Sequence, residues 1–296
     1  MTAPSSFLRI AVLGTGMMGL PIARRLCQAG HQVHAWNRTR SKAELLVNDG
    51  AQVHEQAADA VRQADMAISL LESGPVVADV LFRQGVAEAL APGALFIDMA
   101  SIQPAEARAH AAQLMARGAA YLDAPVSGGT VGAEAGTLAI MVGGEATDFS
   151  RAQPVFAALG RATHVGPHGT GQLTKLANQM IVGITIGAVA EALLLAAKGG
   201  ADMAKVREAL GGGFADSRIL QLHGQRMVER DFAPRGRMTV QLKDMRNALS
   251  TAQELGFDAP VTALLESLYA EAVAHGLDGL DQSGLFVELA HRNGMT

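Results

Sequence analysis

The first residues able to do chemistry are the glycines of Gly14-Thr15-Gly16-Met17-Met18-Gly19, which close an apolar run and open a helical pattern. In a strand-to-helix turn each glycine has its own physical task. Gly14 allows the tight turn out of the strand, Gly16 lets the backbone approach a pyrophosphate, and Gly19 lets the helix pack closely on the sheet. The helix start, with Met17 and Met18, offers N–H groups and the positive end of its dipole to phosphates. In folds that bind NAD, an acid roughly 20 residues further on holds the ribose 2′-hydroxyl. Here that position reads Asn37-Arg38-Thr39. Asn37 does not repel a 2′-phosphate, Arg38 can pair with it, and Thr39 can donate a hydrogen bond. Arg40 and Lys42 add positive charge nearby. The pattern points to NADP(H) over NAD(H); a solvated basic loop is the plain alternative.

Lys175 stands at the start of a long apolar helical pattern, where burial would lower its pKa toward a range useful for proton transfer. By itself a lysine at a helix start is more often a solvated surface charge. Asn178, three residues on, shares its helical face, and Gln179, four on, is an equal candidate to orient a group there. Ser127-Gly128-Gly129 follows a strand-like run; a hydroxyl beside approachable backbone N–H groups suits a carboxylate, unless it is a simple turn. The nine histidines show no metal-ligand spacing, so no metal is expected.

These residues need elements to hold them. Strands are expected at Leu8–Leu13, Gln32–Trp36, Met66–Leu70, Leu95–Asp98, Ala119–Leu122 and Thr137–Val142, with helices such as Pro21–Ala29, Ser41–Asp49 and Pro104–Arg117 between. That alternation predicts an α/β fold, a mostly parallel, doubly wound Rossmann-type sheet. After Val165 the texture changes, and the glycine-rich 166–171 break leads into helices only: Gln172–Lys198, Ala204–Leu210, Ser217–Glu229, Val240–Leu255, Ala259–His275 and Ser283–Arg292. We expect a nucleotide domain over 1–168 and an all-helical substrate and oligomerisation domain over 169–296, joined by a long buried helix. Its uncharged stretch, 176–190, falls short of the roughly 20 residues a membrane span needs. There is no internal repeat and no low-complexity stretch.

A chain of 296 residues with 49% hydrophobic and 18% charged residues reads as compact, and two domains are the prior. Net charge is −4 without a long basic run, which disfavours a nucleic-acid partner. Cys27 is expected to be a buried, inert thiol, and one cysteine fits a reducing compartment. The amino terminus lacks a basic and apolar leader, so a cytoplasmic location is expected.

Four motifs in order carry a resemblance across essentially the whole chain. They are the glycine turn, Asp123-Ala124-Pro125-Val126-Ser127-Gly128-Gly129, Gly169-x-Gly171-x-x-x-Lys175-Leu176-Ala177-Asn178-Gln179, and Lys243-Asp244. Together they closely resemble the β-hydroxyacid dehydrogenase family, and Lys-Leu-Ala-Asn-Gln is similar to its tartronate semialdehyde reductase branch; many members carry Asn-Asn instead. The resemblance implies a reversible, NADP(H)-dependent reduction of a short semialdehyde acid, with 3-hydroxyisobutyrate, glyoxylate and succinic semialdehyde as the neighbouring substrates. It implies that Lys175 supplies the proton as charge builds on the carbonyl oxygen, assisted by Asn178. Ser127, Gly128 and Gly129 would hold the substrate acid. Leu71 and Ser101 would line the nicotinamide side, with Lys243 near the cofactor and Asp244 near the substrate; relatives form dimers or tetramers. Imine reductases and non-catalytic relatives of the same superfamily generally lack the lysine that this chain keeps.

The chain departs from the family pattern in places. Glu72 stands where relatives usually have proline, and Ala100 replaces a common serine. Gly236 replaces an aromatic residue found in several small-aldehyde reductases. A missing ring there would open the pocket and let Arg237 add a second anion contact, for a larger or more acidic substrate.

Overall fold

A computed structural model describes residues 7–295. The chain divides into two compact units, one through Lys175 and one from Leu176 onward.

The first unit is built on a nine-stranded sheet. Its parallel part comprises β1 (Arg9–Leu13), β2 (Gln32–Trp36), β3 (Gln52–Val53), β4 (Met66–Ser69), β5 (Leu95–Asp98) and β6 (Ala120–Asp123). They lie in the order 3-2-1-4-5-6, the doubly wound arrangement. The central strands read as unbroken apolar runs because both faces are covered. Alternate residues serve opposite faces: Ile10 and Val12 join a core with Ile22 and Leu26, whereas Ala11 and Leu13 join one with Leu81 and Phe96. The helices of this part are α1 (Gly19–Gln28), α2 (Arg40–Glu44), α3 (Ala57–Val61), α4 (Gly74–Ala78), α5 (Val86–Ala89) and α6 (Pro104–Met115). The expected helix over Ser41–Asp49 is instead α2 and a separate 3₁₀ turn, Val47–Asp49, closed by Gly50 in the left-handed region.

Beyond β6 come β7 (Val126–Ser127), α7 (Gly129–Ala135), β8 (Leu138–Gly144), α8 (Ala146–Arg151), α9 (Gln153–Leu159) and β9 (Gly160–Gly166). β8 runs antiparallel to β6 and β7, and β9 parallel to β8. Sequence reading missed three strands. β3 and β7 are two residues long, too short to show a period, and β9 alternates between half-buried and exposed positions with few apolar residues.

α10 (Thr170–Lys198) begins in the first unit, and its start is set from a distance. Asp123, buried at the end of β6, accepts the Gly169 N–H at 2.8 Å on Oδ1 and the Gln172 N–H at 2.9 Å on Oδ2. A remote carboxylate thus does the work of a local capping residue. The approach is so close that a Cβ on Gly171 would lie 2.5 Å from the carbonyl oxygens of Asp123 and Met141.

The second unit is helical: most of α10, then α11 (Met203–Leu210), α12 (Arg218–Glu229), α13 (Met238–Glu254), α14 (Pro260–Ala272) and α15 (Leu285–Arg292). Ser217 caps α12 by accepting the Leu220 N–H at 3.0 Å. The regular part of the helix expected over Ala259–His275 ends at Ala272, and a π-helical segment follows, in which Gly276 has φ 83°. The expectation that α10 is buried needs correction. Ile186, Ala190, Leu193 and Leu194 are in the core, while Ile181 and Leu195 are exposed. By length and composition α10 would also be long and apolar enough to cross a membrane.

Two buried groups, Asp98 at the end of β5 and His110 on α6, set opposing pH dependences. Burial pushes the Asp98 carboxyl up to about 6, against hydrogen bonds from Ser69, the Ala100 N–H and Tyr121. Burial also lowers His110, packed against Phe82 and Tyr121, to about 4. Asp98 binds its proton more tightly folded than unfolded, so its contribution is lost as pH rises from about 4 through 6. His110 does the reverse, and stability is gained over much the same window. Asp98→Asn should therefore gain stability relative to the parent between pH 4 and 6, by on the order of 3 kcal/mol. His110→Phe should lose stability relative to the parent as pH rises through that window. Denaturant unfolding at stepped pH measures both trends, and slopes of the same sign would refute the assignment.

Candidate functional site

The glycine turn is assembled by the ends of β1, β2 and β4. Gly14 has φ +102° and donates its N–H to the Trp36 carbonyl at 2.8 Å. A Cβ on Gly14 would sit 2.6 Å from the Leu70 carbonyl oxygen and 3.1 Å from the Leu71 side chain, so Leu71 borders the turn. A Cβ on Gly19 would lie 1.8 Å from the Gly14 oxygen, so only glycine lets α1 start there. At Gly16 a Cβ would meet nothing within 4 Å, so the fold itself leaves this position open. Thr15 is buried, and among the described residues its Oγ1 has no hydrogen-bond partner. An open glycine, an orphaned hydroxyl and the N-terminus of α1 fit the phosphates of a dinucleotide. Met17 is exposed and Met18 half-buried at the same turn.

Asn37 has a role that the sequence reading did not see. Its Oδ1 accepts the Thr15 N–H at 3.0 Å and its Nδ2 donates to the Thr39 carbonyl at 3.0 Å. The amide thereby ties the glycine turn to the loop after β2. Arg38 and Thr39 are exposed, and among the described residues Arg38 makes no hydrogen bond or ion pair. Arg40, expected to add free positive charge, is instead paired with Glu44 at 2.7 Å and with Glu55. Glu72 is exposed, and Ser101 is half-buried in the loop after β5. Cys27 is half-buried, not buried; desolvation raises its pKa, which keeps the thiol protonated and inert.

Ser127 ends β7 opposite Ala139, and the next two residues take positive φ, +134° at Gly128 and +63° at Gly129. Ser127 is half-buried and both glycines are exposed. Lys175 is half-buried near the start of α10, with Asn178 one turn further on.

In the second unit, a chain of hydrogen bonds joins α10 to α13. Asn178 Nδ2 donates to Gln179 Oε1 at 2.8 Å, and Gln179 Nε2 donates to Asp244 Oδ2 at 2.8 Å. Lys243 Nζ lies 3.2 Å from Asp244 Oδ1. Asp244 is only 2% exposed, so Lys243-Asp244 is not an ordinary surface pair. Asn178 and Gln179 are therefore parts of one network, in which Gln179 bridges Asn178 and Asp244. Spacing along α10 could not reveal this, because the partner lies on another helix.

The segment before α13 is organised by Asp281, which accepts the N–H groups of Arg235, Gly236 and Ser283 and the Ser283 hydroxyl. Burial alone would raise its pKa, but bonds from His223, Ser283 and Gly236 outweigh it and hold the carboxyl well below the usual range. Arg237 is exposed, Phe232 stacks on Phe286, and a Cβ on Gly236 would meet the Gln282 amide at 3.3 Å.

Comparison with known proteins places this geometry. Residues 9–167 match the family profile of the NAD binding domain of 6-phosphogluconate dehydrogenase. Residues 169–289 match that described as the NAD-binding part of NADP-dependent 3-hydroxyisobutyrate dehydrogenase. The chain is 43% identical to the 2-hydroxy-3-oxopropionate reductase of Escherichia coli K12, over 94% of this chain and 96% of that one. It is 38% identical to the 3-hydroxyisobutyrate dehydrogenase of Pseudomonas aeruginosa, over 93% and 96% respectively. The structure of Mycobacterium tuberculosis 3-hydroxyisobutyrate dehydrogenase with L-serine superposes with a TM-score of 0.88 at 32% identity, covering 96% of this chain and 99% of that one.

The open space at Gly16 makes its substitution informative. Gly16→Ala should change the melting temperature little and weaken dinucleotide binding at least about tenfold, by placing a methyl where the backbone must approach phosphate. Titration of dinucleotide fluorescence would measure it, and unchanged affinity would remove Gly16 from the site. With both halves of the chain matched in order over nearly their whole length, this protein belongs to the β-hydroxyacid dehydrogenase family, NAD(P)-dependent oxidoreductases acting on hydroxyl groups.

Proposed function

We propose that this protein is an NADP(H)-dependent reductase of a short semialdehyde acid, with tartronate semialdehyde (2-hydroxy-3-oxopropionate) as the preferred substrate. The likeness to the Escherichia coli reductase over nearly the full chain carries the substrate reading. When bound, the nicotinamide supplies the hydride for reduction or accepts it in the reverse direction. Lys175 gives a proton to the carbonyl oxygen as negative charge builds there, which removes the need for an unstabilised alkoxide. Asn178 assists Lys175, and the Gln179–Asp244 bridge holds the Asn178 amide in one orientation. Ser127 with the N–H groups of Gly128 and Gly129 binds the substrate carboxylate. Leu71, Ser101 and Lys243 contact the nicotinamide side of the cofactor. Support for NADP(H) comes from Arg38, exposed and without an ion pair among the described residues, beside Thr39 and with no acid at the end of β2.

We also propose a homo-oligomer. Leu173, Ile181 and Leu195 expose 41%, 66% and 73% of their surface along α10, an apolar face that a second copy would cover.

Two experiments test these readings. NADPH oxidation should be fastest with tartronate semialdehyde in a panel including glyoxylate, succinic semialdehyde and methylmalonate semialdehyde. Lys175→Ala should lower kcat by about 10²–10⁴-fold, and Arg38→Ala should raise the KM for NADPH but not for NADH. Equal use of both dinucleotides, or an active Lys175→Ala, would refute the corresponding assignment. In sedimentation the parent should be a dimer or larger, and Leu195→Glu should shift it toward monomer; a monomeric parent overturns that proposal.

A further inference from the structure

Gln172 is fully buried, three residues before Lys175 on α10. Its Nε2 donates to the Ala100 carbonyl at 2.7 Å, and its Oε1 accepts the Ile102 N–H at 3.1 Å. These two peptide groups flank Ser101, so a single side chain brackets that residue as a neighbouring strand would. The Gln172 backbone is fixed as well, because its N–H donates to Asp123 at 2.9 Å. The loop is held from its other side by Asp98, which accepts the Ala100 N–H at 3.0 Å. The loop after β5, the end of β6 and the first turn of α10 therefore meet at one residue.

We propose that Gln172 is a positioning residue for the reaction. By clamping the Ser101 loop to the helical turn that carries Lys175, it sets where the lysine ammonium stands relative to the nicotinamide side of the site. The proposal rests on Lys175 as proton donor. Three residues of α-helix span about 4.5 Å, so little freedom remains between the clamp and the lysine. The chemistry of the amide matters: the loop presents one acceptor and one donor, and a glutamine answers both at fixed spacing. A carboxylate would repel the Ala100 carbonyl, and an apolar side chain would leave two buried backbone groups unpaired. The loop would then relax, and misplacement by about 1 Å can cost on the order of 100-fold in rate.

A double-mutant cycle with Lys175→Ala provides the test. Gln172→Met keeps length and packing and removes both hydrogen bonds. It should lower kcat at least about tenfold, while KM and dinucleotide affinity change by less than about threefold. In the Lys175→Ala background the same substitution should have almost no further effect, because the group it positions is gone. Losses that multiply in the double variant, or a KM that rises and an affinity that falls by as much as kcat does, would overturn the proposal and leave Gln172 a structural residue. A Lys175→Ala enzyme with the parent kcat would instead overturn the proton-donor reading itself. Should Gln172→Met fail to fold, Gln172→Glu enters the same cycle. It retains the acceptor for the Ile102 N–H and loses the bond to Ala100, and the same outcomes decide.

Discussion

The carboxylate of Asp123 is the constraint on which the rest of the first unit's functional end depends. It lies at the tip of β6, fully buried, and takes the Gly169 and Gln172 N–H groups that begin a 29-residue helix. Buried N–H groups without partners are strongly disfavoured, and the positive end of a helix favours a negative charge. Both requirements are met by one side chain, and the fit leaves no room for others. A Cβ on Gly143 would lie 2.7 Å from Asp123 Oδ1, and one on Gly171 would collide with two carbonyl oxygens. The Gly169-x-Gly171 motif thus serves close packing of a helix onto a strand end, and through that packing it locates Lys175.

The same end of the sheet carries a second buried acid. Asp98 collects hydrogen bonds from Ser69 on β4, Tyr121 on β6 and the backbone of its own loop. In doubly wound sheets the ligand crevice lies beyond the carboxyl ends of the strands. Buried polar networks rigidify what they join when every member is satisfied. Here they join β4, β5 and β6 to the loop that bears Ser101. The second unit uses the same device, with Asp281 fixing the backbone that leads into α13 and hence the placement of Lys243 and Asp244.

Family membership narrows the chemistry to hydride exchange at a hydroxyl or carbonyl carbon, and the individual residues refine it. Gln179 reaches Asp244 on another helix, 2.8 Å away, while its Oε1 accepts from Asn178 at 2.8 Å. One amide therefore ties Asn178 to a buried carboxylate.

The glycine turn, the strands β1, β2, β4, β5, β6 and β8, and the helices of the second unit were legible in the sequence, because their apolar periods are long and unbroken. Gly14, Gly16 and Gly19 were legible as well, since their demands are local to a few bonds. Lys175 was visible as the one charge at the start of an apolar helix. Hidden were the residues whose roles depend on partners far along the chain: Asn37 between two loops, Gln172 around Ser101, Asp123 at the start of α10, and Gln179 against Asp244. Arg40 shows the converse, since residue type alone suggested added positive charge and the tertiary structure left it paired with acids. The sequence by itself determined the elements, the dinucleotide turn and the family, because those follow from periodicity and local backbone geometry. Only the tertiary structure decided which polar side chains fix the glycine turn, the Ser101 loop and the start of α10, because hydrogen bonds across 22 to 72 residues leave no period to read.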